Sequence, residues 1–435
     1  MLCSLIHAQS DNPMKNIDTY APDRLITPGG RVLGWRDLFS LWFSLGIGLA
    51  VLQAGAILSP GLGMAGSLSA IALGSLAGCL LLALAGVIGY DTGRSSMATM
   101  AFSLGKTGAS VPSLLNLLQL IGWGAFEIVM MRDAASLLAA RALGSTSLWA
   151  NPALWTWLFG FCATALALAG PLAFIRVVLR RFGIWLLIIA CGWLSWSLWR
   201  RADMAGLAAT AGNGTLPFAA GCDIVISMAL SWLPLVADYT RFGKSARQTF
   251  FGTLAGYLAG SLWVMALGGA YALAFVSNND ASALLVALSG AAMGIPLLLI
   301  LIDENENAFA DIHSAALSSA LLVPMRVKPL TLIIGLACTL IAWGVPLSQY
   351  ENFLLLIGSV FAPLFGVVLV EHFLIRRRGL APAAASSWRA FLAWACGIAV
   401  YQAMVQWLPQ VGATLPALII AGLLHYGLSR RPSQV

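Results

Sequence analysis

The chain has 435 residues, 60% of them hydrophobic and only 9% charged. Soluble domains carry about 25% charged residues, so the composition excludes a water-soluble fold and points to an all-α polytopic membrane protein. The 24 Lys and Arg against 17 Asp and Glu lie mostly in short loops between apolar runs, which is a topology signal rather than a basic face for nucleic acid.

Residues 1–34 form a polar segment, expected to be a mobile cytoplasmic tail. Its start, MLCSLIHAQSDNP, lacks the long apolar core of a signal peptide. Twelve apolar runs follow, near 37–58, 65–90, 110–140, 153–173, 182–199, 218–238, 250–276, 295–322, 329–346, 352–375, 388–406 and 411–429. Each is long enough to cross a hydrocarbon core of about 30 Å. With both termini in the cytoplasm, only Arg132, Arg141, Arg200 and Arg201 of the 24 basic residues fall on the outer half. Such a positive-inside bias supports twelve crossings of a bacterial inner membrane. The seven cysteines, an odd number with no CxxC pair, read as small buried apolar residues.

Two spans are interrupted. The first, LWFSLGIGLAVLQAGAIL, has Gly46 and Gly48 in its middle, and the sixth, DIVISMALSWLPLVADYTRF, has Pro234. Both residue types weaken a helix interior. Interruptions in corresponding helices of two halves mark inverted-repeat transporters with a midplane site. The alternative is that the glycines only allow close helix packing.

The third span, NLLQLIGWGAFEIVMMRDAASLL, places Trp123 and Glu127 at i and i+4 on one face, with Gln119 one turn earlier. An aromatic plane beside a carboxylate suits a flat heterocycle carrying hydrogen-bond donors. Plain packing of Trp123, and an ion pair of Glu127 with Arg132, are the competing readings. In the sixth span Ser231 and Trp232 precede the proline and are candidates to face the cavity. Asp223 is expected near the outer end as a gate or a partner of Arg132. Asp238 and Arg241 are expected to pair at the inner end.

The eighth span holds Asp303, Glu304, Glu306 and Asp311. A carboxylate at the bilayer centre costs roughly 2.5–3.5 kcal/mol on insertion scales, so four facing lipid are untenable. Ending a span at Ile302 would relieve this, but an added crossing would move every later basic cluster outside. One continuous helix through 303–313 keeps the charge bias, and residues 280–294 then become an outer re-entrant or surface segment. His313 is expected as a satisfied polar residue near the inner end of this helix, and Glu371 and His372 as interfacial residues of the tenth span.

SLWFSLGIGLAVLQAGAIL, GWGAFE, SWLPLVADYTRFGKSA and DENENAFADIHS together resemble the nucleobase–cation symporter-1 family over about residues 36–430, with ADYTRFG the most specific segment. The details look most like the CytX-type branch, thought to import hydroxymethylpyrimidine for thiamine synthesis. The resemblance implies a LeuT-like 5+5 inverted repeat plus two C-terminal helices. Its units would be 35–199, 218–378 and 387–430. It implies that Trp123 stacks on the substrate ring and that Glu127 and Asn305 read its edge. Ser231, Trp232, Gln119 and Gly48 complete the expected substrate site. It also implies a cation site at Ser44, Ile47, Ile300, Asp303 and Glu304. Relatives carry two hydroxyls where Asp303 and Glu304 stand, a departure that leaves H+ and Na+ both open as coupling ion. No other cofactor, no ATPase partner and a monomeric transporter are expected. Cytosine, purine or allantoin transport on the same fold is the near alternative. A metal transporter using Asp303, Glu304 and His313 is the alternative of a different class. An intramembrane hydrolase lacks HExxH and GxSxG motifs.

Overall fold

The computed structural model describes residues 20–276, 284, 287–288, 294–344, 350–376 and 386–429. Helices are the only extended regular elements among them. Eight are long and apolar enough to cross a membrane. The first span is split. Helix α1 (Trp35–Leu45) starts with Asp37 accepting the Gly34 N–H (2.9 Å) and stops at Gly46. Helix α2 (Leu49–Thr92) begins after an extended Gly48. Within α2 the helical path breaks at Gly63 (φ 70°, ψ 178°), so 49–62 finishes the first span and 64–92 forms the second. A Cβ at this left-handed position would also strike the backbone of Thr210 and Gly212, so only glycine fits.

Helices α3 (Ser110–Leu143), α4 (Pro152–Ala169) and α5 (Ile184–Arg201) follow. At 1.5 Å per residue, the 34 residues of α3 exceed a bilayer core and require tilt. The sixth span is split into α6 (Phe218–Leu230) and α7 (Val236–Thr240), with Pro234 in the non-helical link. The rest are α8 (Ala246–Phe275), α9 (Ile295–Ala320), α10 (Val327–Gly344), α11 (Tyr350–Val370), α12 (Trp388–Trp407) and α13 (Thr414–Ser429). The expected continuous helix through 303–313 is therefore present. Most of the expected surface segment 280–294 lies outside the described residues.

Helix α9 is the axis of the molecule. Every residue from Glu304 to Ser319 is buried, so its described acids meet protein and never lipid. Apolar side chains such as Leu73, Phe161, Trp185, Ile333 and Leu423 are exposed instead and form the lipid-facing rim. Small residues bring α8 against the first span at backbone contact. A Cβ on Gly55 would strike the Met265 backbone, and one on Gly268 would strike that of Leu52. The six described cysteines are all free.

The N-terminal segment departs from one expectation. Residues 20–34 do not form a loose tail. The Arg241 guanidinium, fully buried, donates to the carbonyls of Tyr20 and Ala21 (3.1 Å each). The Tyr20 ring sits edge-on to His313 and Phe242. Leu33 exchanges backbone hydrogen bonds with Phe242 and Lys244. The reason is electrostatic: a buried guanidinium needs acceptors, and this segment supplies them.

Candidate substrate and cation site

The two helix breaks frame the site. At the first, the Ile47 N–H closes on the Ser44 carbonyl (2.8 Å), and the Leu49 N–H is left at the head of the resumed helix. The Glu304 carboxylate accepts that N–H (3.1 Å), a negative group at the positive end of a helix. The Ser44 hydroxyl donates to Glu306 (2.6 Å). A Cβ on Gly48 would lie 3.0 Å from both Asn307 Nδ2 and Glu304 Oε2, so those side-chain ends would have to give by a few tenths of an ångström. At the second break the proline contributes no N–H, and its freed carbonyl accepts from Asn116 Nδ2 (3.2 Å).

Between the breaks lies a small cavity of about 20 Å³, lined by Leu45, Ala50, Val51, Trp123, Glu127, Met228, Ser231, Trp232, Leu235, Asn307 and Asp311. That volume admits about one water molecule, so a six-membered ring must part the walls to enter. Trp232 is backed by the edge of Trp42, at 6.2 Å between ring centroids. The Trp123 Nε1, Glu127 Oε2 and Asn307 Oδ1 atoms are buried with no hydrogen-bond partner among the described residues. Unmade hydrogen bonds of this kind cost roughly 1–3 kcal/mol each and converge here on one space.

Residues 25–419 match the family model of permeases for cytosine/purines, uracil, thiamine and allantoin. The chain belongs to that family. It is 26% identical over 387 residues to the cytosine permease of Escherichia coli (strain K12), covering 87% of this chain and 86% of that protein. It is 26% identical over 425 residues to the purine-cytosine permease FCY2 of Saccharomyces cerevisiae, covering 86% and 76%. The solved structure of Mhp1, a nucleobase-cation-symport-1 family transporter with bromovinylhydantoin bound, superposes with a TM-score of 0.81 at 20% identity, covering 94% of each chain. The permease is thus a multi-pass membrane transporter with the LeuT-like fold, not an enzyme.

The permease brings Trp123, Glu127, Ser231 and Trp232 to one cavity. Asn305 is elsewhere: its amide faces the Met131 sulfur (3.2 Å), and Asn307 lines the cavity in its place. Gln119 is tied to Asn116 (2.6 Å) one turn away and does not line it. Of the expected cation ligands, Ser44, Ile47 and Glu304 gather at the first break, where Glu306 joins them. Ile300 is buried on α9, and the Asp303 side chain lies outside the described residues. Asp311 and Asn307 were not assigned to the substrate site from the sequence; they stand four residues apart on one face of α9.

Other expectations change. Arg132 pairs with Asp133 (2.7 Å) and donates to the Ala342 carbonyl, so it does not hold Glu127 or Asp223. Asp223 instead accepts the N–H groups of Ala413 and Thr414 (3.0 Å each), capping α13. Asp238 also accepts the Ser96 N–H (2.8 Å), and Arg241 also reaches the N-terminal segment. Glu371, expected as interfacial, bridges Arg376 (2.6 Å) and the buried His425 (2.7 Å).

Proposed function

We propose that this permease is a secondary importer of a pyrimidine-type heterocycle, hydroxymethylpyrimidine first among them, driven by a cation. The observation that carries this reading is the cavity between the two helix breaks, where Trp123, Trp232, Glu127 and Asn307 converge. Trp123 stacks on the ring. Glu127 and Asn307 read its edge, with Asn307 taking the role expected of Asn305. The coupling cation, H+ or Na+, acts at the first break beside Ser44, Ile47, Ile300, Asp303 and Glu304. Transport proceeds by alternating access of the repeats 35–199 and 218–378 around this midplane site, with helices 387–430 outside the exchange. The cation favours the substrate-competent arrangement through its differential affinity for the two states. The protein works as a monomer in a bacterial inner membrane, with both termini cytoplasmic.

The names of its relatives favour cytosine or a purine as the alternative cargo. Metal transport is disfavoured by the donors themselves. No group of three or more His, Cys, Asp or Glu side chains suited to a metal ion occurs among the described residues. His313 packs on Tyr20, Tyr239 and Phe309, away from the first break.

Uptake of labelled hydroxymethylpyrimidine into proteoliposomes tests the reading, with sodium and pH gradients imposed separately. Saturable uptake under one gradient, resisted by excess cytosine, adenine and thiamine, is the expected result. Transport of cytosine or adenine in its place would discard hydroxymethylpyrimidine and keep the symporter. Absence of uptake for every heterocycle would discard the symporter.

A further inference from the structure

The helices sort into two packed groups. Spans one, two, six and seven (α1, α2, α6, α7 and α8) pack mainly on one another, and so do spans three, four, eight and nine (α3, α4, α9 and α10). The cavity lies on the seam between them. Leu45, Val51 and Trp232 come from the first group, and Trp123, Asn307 and Asp311 from the second. A ring leaves the cavity where this seam parts.

Residues 20–33 lie across one end of the seam, the cytoplasmic end in the topology proposed above. Most of their anchors belong to the first group. The Ile26 N–H donates to the Gly93 carbonyl (3.0 Å), and the Ser95 N–H, just past α2, donates to the Pro22 carbonyl (3.1 Å). The Arg31 guanidinium covers the Tyr90 ring at 4.3 Å. Arg241 holds the Tyr20 and Ala21 carbonyls, and Phe242 and Lys244 hold Leu33. Tyr20 also reaches the second group. Its ring meets His313 of α9 edge-on, 5.5 Å between centroids. Its hydroxyl lies against the end of α4, where a Cβ on Gly170 would stand 2.7 Å from it.

We infer that residues 20–33 are a latch on this end of the permease, with Tyr20 as its bolt. The inference rests on the alternating-access reading above and adds the device that keeps one end shut. Both halves of the bolted contact stand on elements that line the cavity. Arg241 closes the short α7, which starts just past Leu235 of the lining. His313 stands two residues beyond Asp311 on α9. A ring that parts the cavity walls therefore bears on both sides of the bolt. When the seam opens, the segment stays with the first group, because leaving it would strip two acceptors from a fully buried guanidinium. Only the Tyr20 ring has to come away from His313 and Gly170, and an aromatic edge contact is far cheaper to lose. The latch thus biases the shut state and still opens in each cycle.

The test uses the full-length permease in a cysteine-free background with one reporter, Ala50→Cys, in the cavity lining. Sealed vesicles of both orientations are treated with a membrane-impermeant methanethiosulfonate. Labelling is timed from the face at which Lys244→Cys reacts, which is the latch end because the Lys244 N–H bonds Leu33, and from the opposite face. Tyr20→Ala should label about fivefold faster from the latch face, the population shift that one lost aromatic contact supports. It should label more slowly from the opposite face, since one state gains at the expense of the other. His313→Ala removes the other half of the contact and should shift both rates in the same directions; it decides alone if Tyr20→Ala does not fold. Unchanged rates in the folded variants overturn the latch. Faster labelling from both faces also overturns it, because that is loosened packing rather than a released bolt. Either result leaves the transporter standing. Failure of the reporter to react from either face in every variant overturns the latch and the alternating-access reading together.

Discussion

Glu127 lines the cavity beside Trp123 and Trp232, and in the proposed reading substrate choice turns on it. Glu127→Gln should weaken binding of an aminopyrimidine by about tenfold to a hundredfold, the scale of a hydrogen bond to a charged group. Asp223→Asn alters a helix cap remote from the cavity and should leave that dissociation constant nearly unchanged. Titration of both variants with the same ligand separates the cases, and equal losses would end the recognition role of Glu127. Gly48 makes a second test. Its backbone is extended, so any residue could adopt the conformation, but a side chain would crowd the ends of Glu304 and Asn307. Gly48→Ala would push a methyl against Glu304 and Asn307. Overpacking of this size costs roughly 1–3 kcal/mol, so initial uptake rates should fall by about tenfold while the protein still elutes as a folded species.

At the scale of elements, the molecule combines tightly joined helices with a strapped N-terminal segment. The α2–α8 contact is set by glycines whose faces meet opposing backbone, so Gly268→Ala should lower thermal stability by about 1–3 kcal/mol, read as a fall in melting temperature in detergent. The N-terminal segment depends on a single buried cation. Arg241→Ala removes the donors to the Tyr20 and Ala21 carbonyls. Trypsin should then cut at Arg24 and Arg31 faster than in the wild type, where Tyr20 and Leu33 pin the segment at both ends. Equal resistance in the variant would mean that the backbone bonds at Leu33 suffice to hold it.

For the whole molecule, the distribution of basic residues makes a topological prediction. In a cysteine-free background, Lys244→Cys should react with a membrane-impermeant maleimide only from the cytoplasmic face, and Arg200→Cys only from the opposite face. Reaction of both from one side would break the twelve-span order. Much of this architecture was legible in the sequence. Apolar runs of bilayer length, the Gly46–Gly48 and Pro234 interruptions, and the continuity of α9 through its acids all follow from rules that operate locally or by counting charge.

The choice of cavity residues on α9 was not legible in that way. A helix at a protein–lipid boundary announces its buried side by periodicity, but α9 is buried on every side from Glu304 to Ser319 and carries no such mark. Asn305 and Asn307 are therefore equivalent in sequence, and only the placement of Met131 against one and of the cavity against the other separates them. The same holds for residues 20–34, whose polar composition matches a solvated tail. Their order comes from Arg241, more than two hundred residues away, whose buried charge finds its acceptors in that segment. Spans and breaks belong to the sequence because bilayer thickness and backbone chemistry act on short stretches. Pairings between distant polar groups belong to the tertiary structure, because each group is satisfied only by what the fold brings beside it.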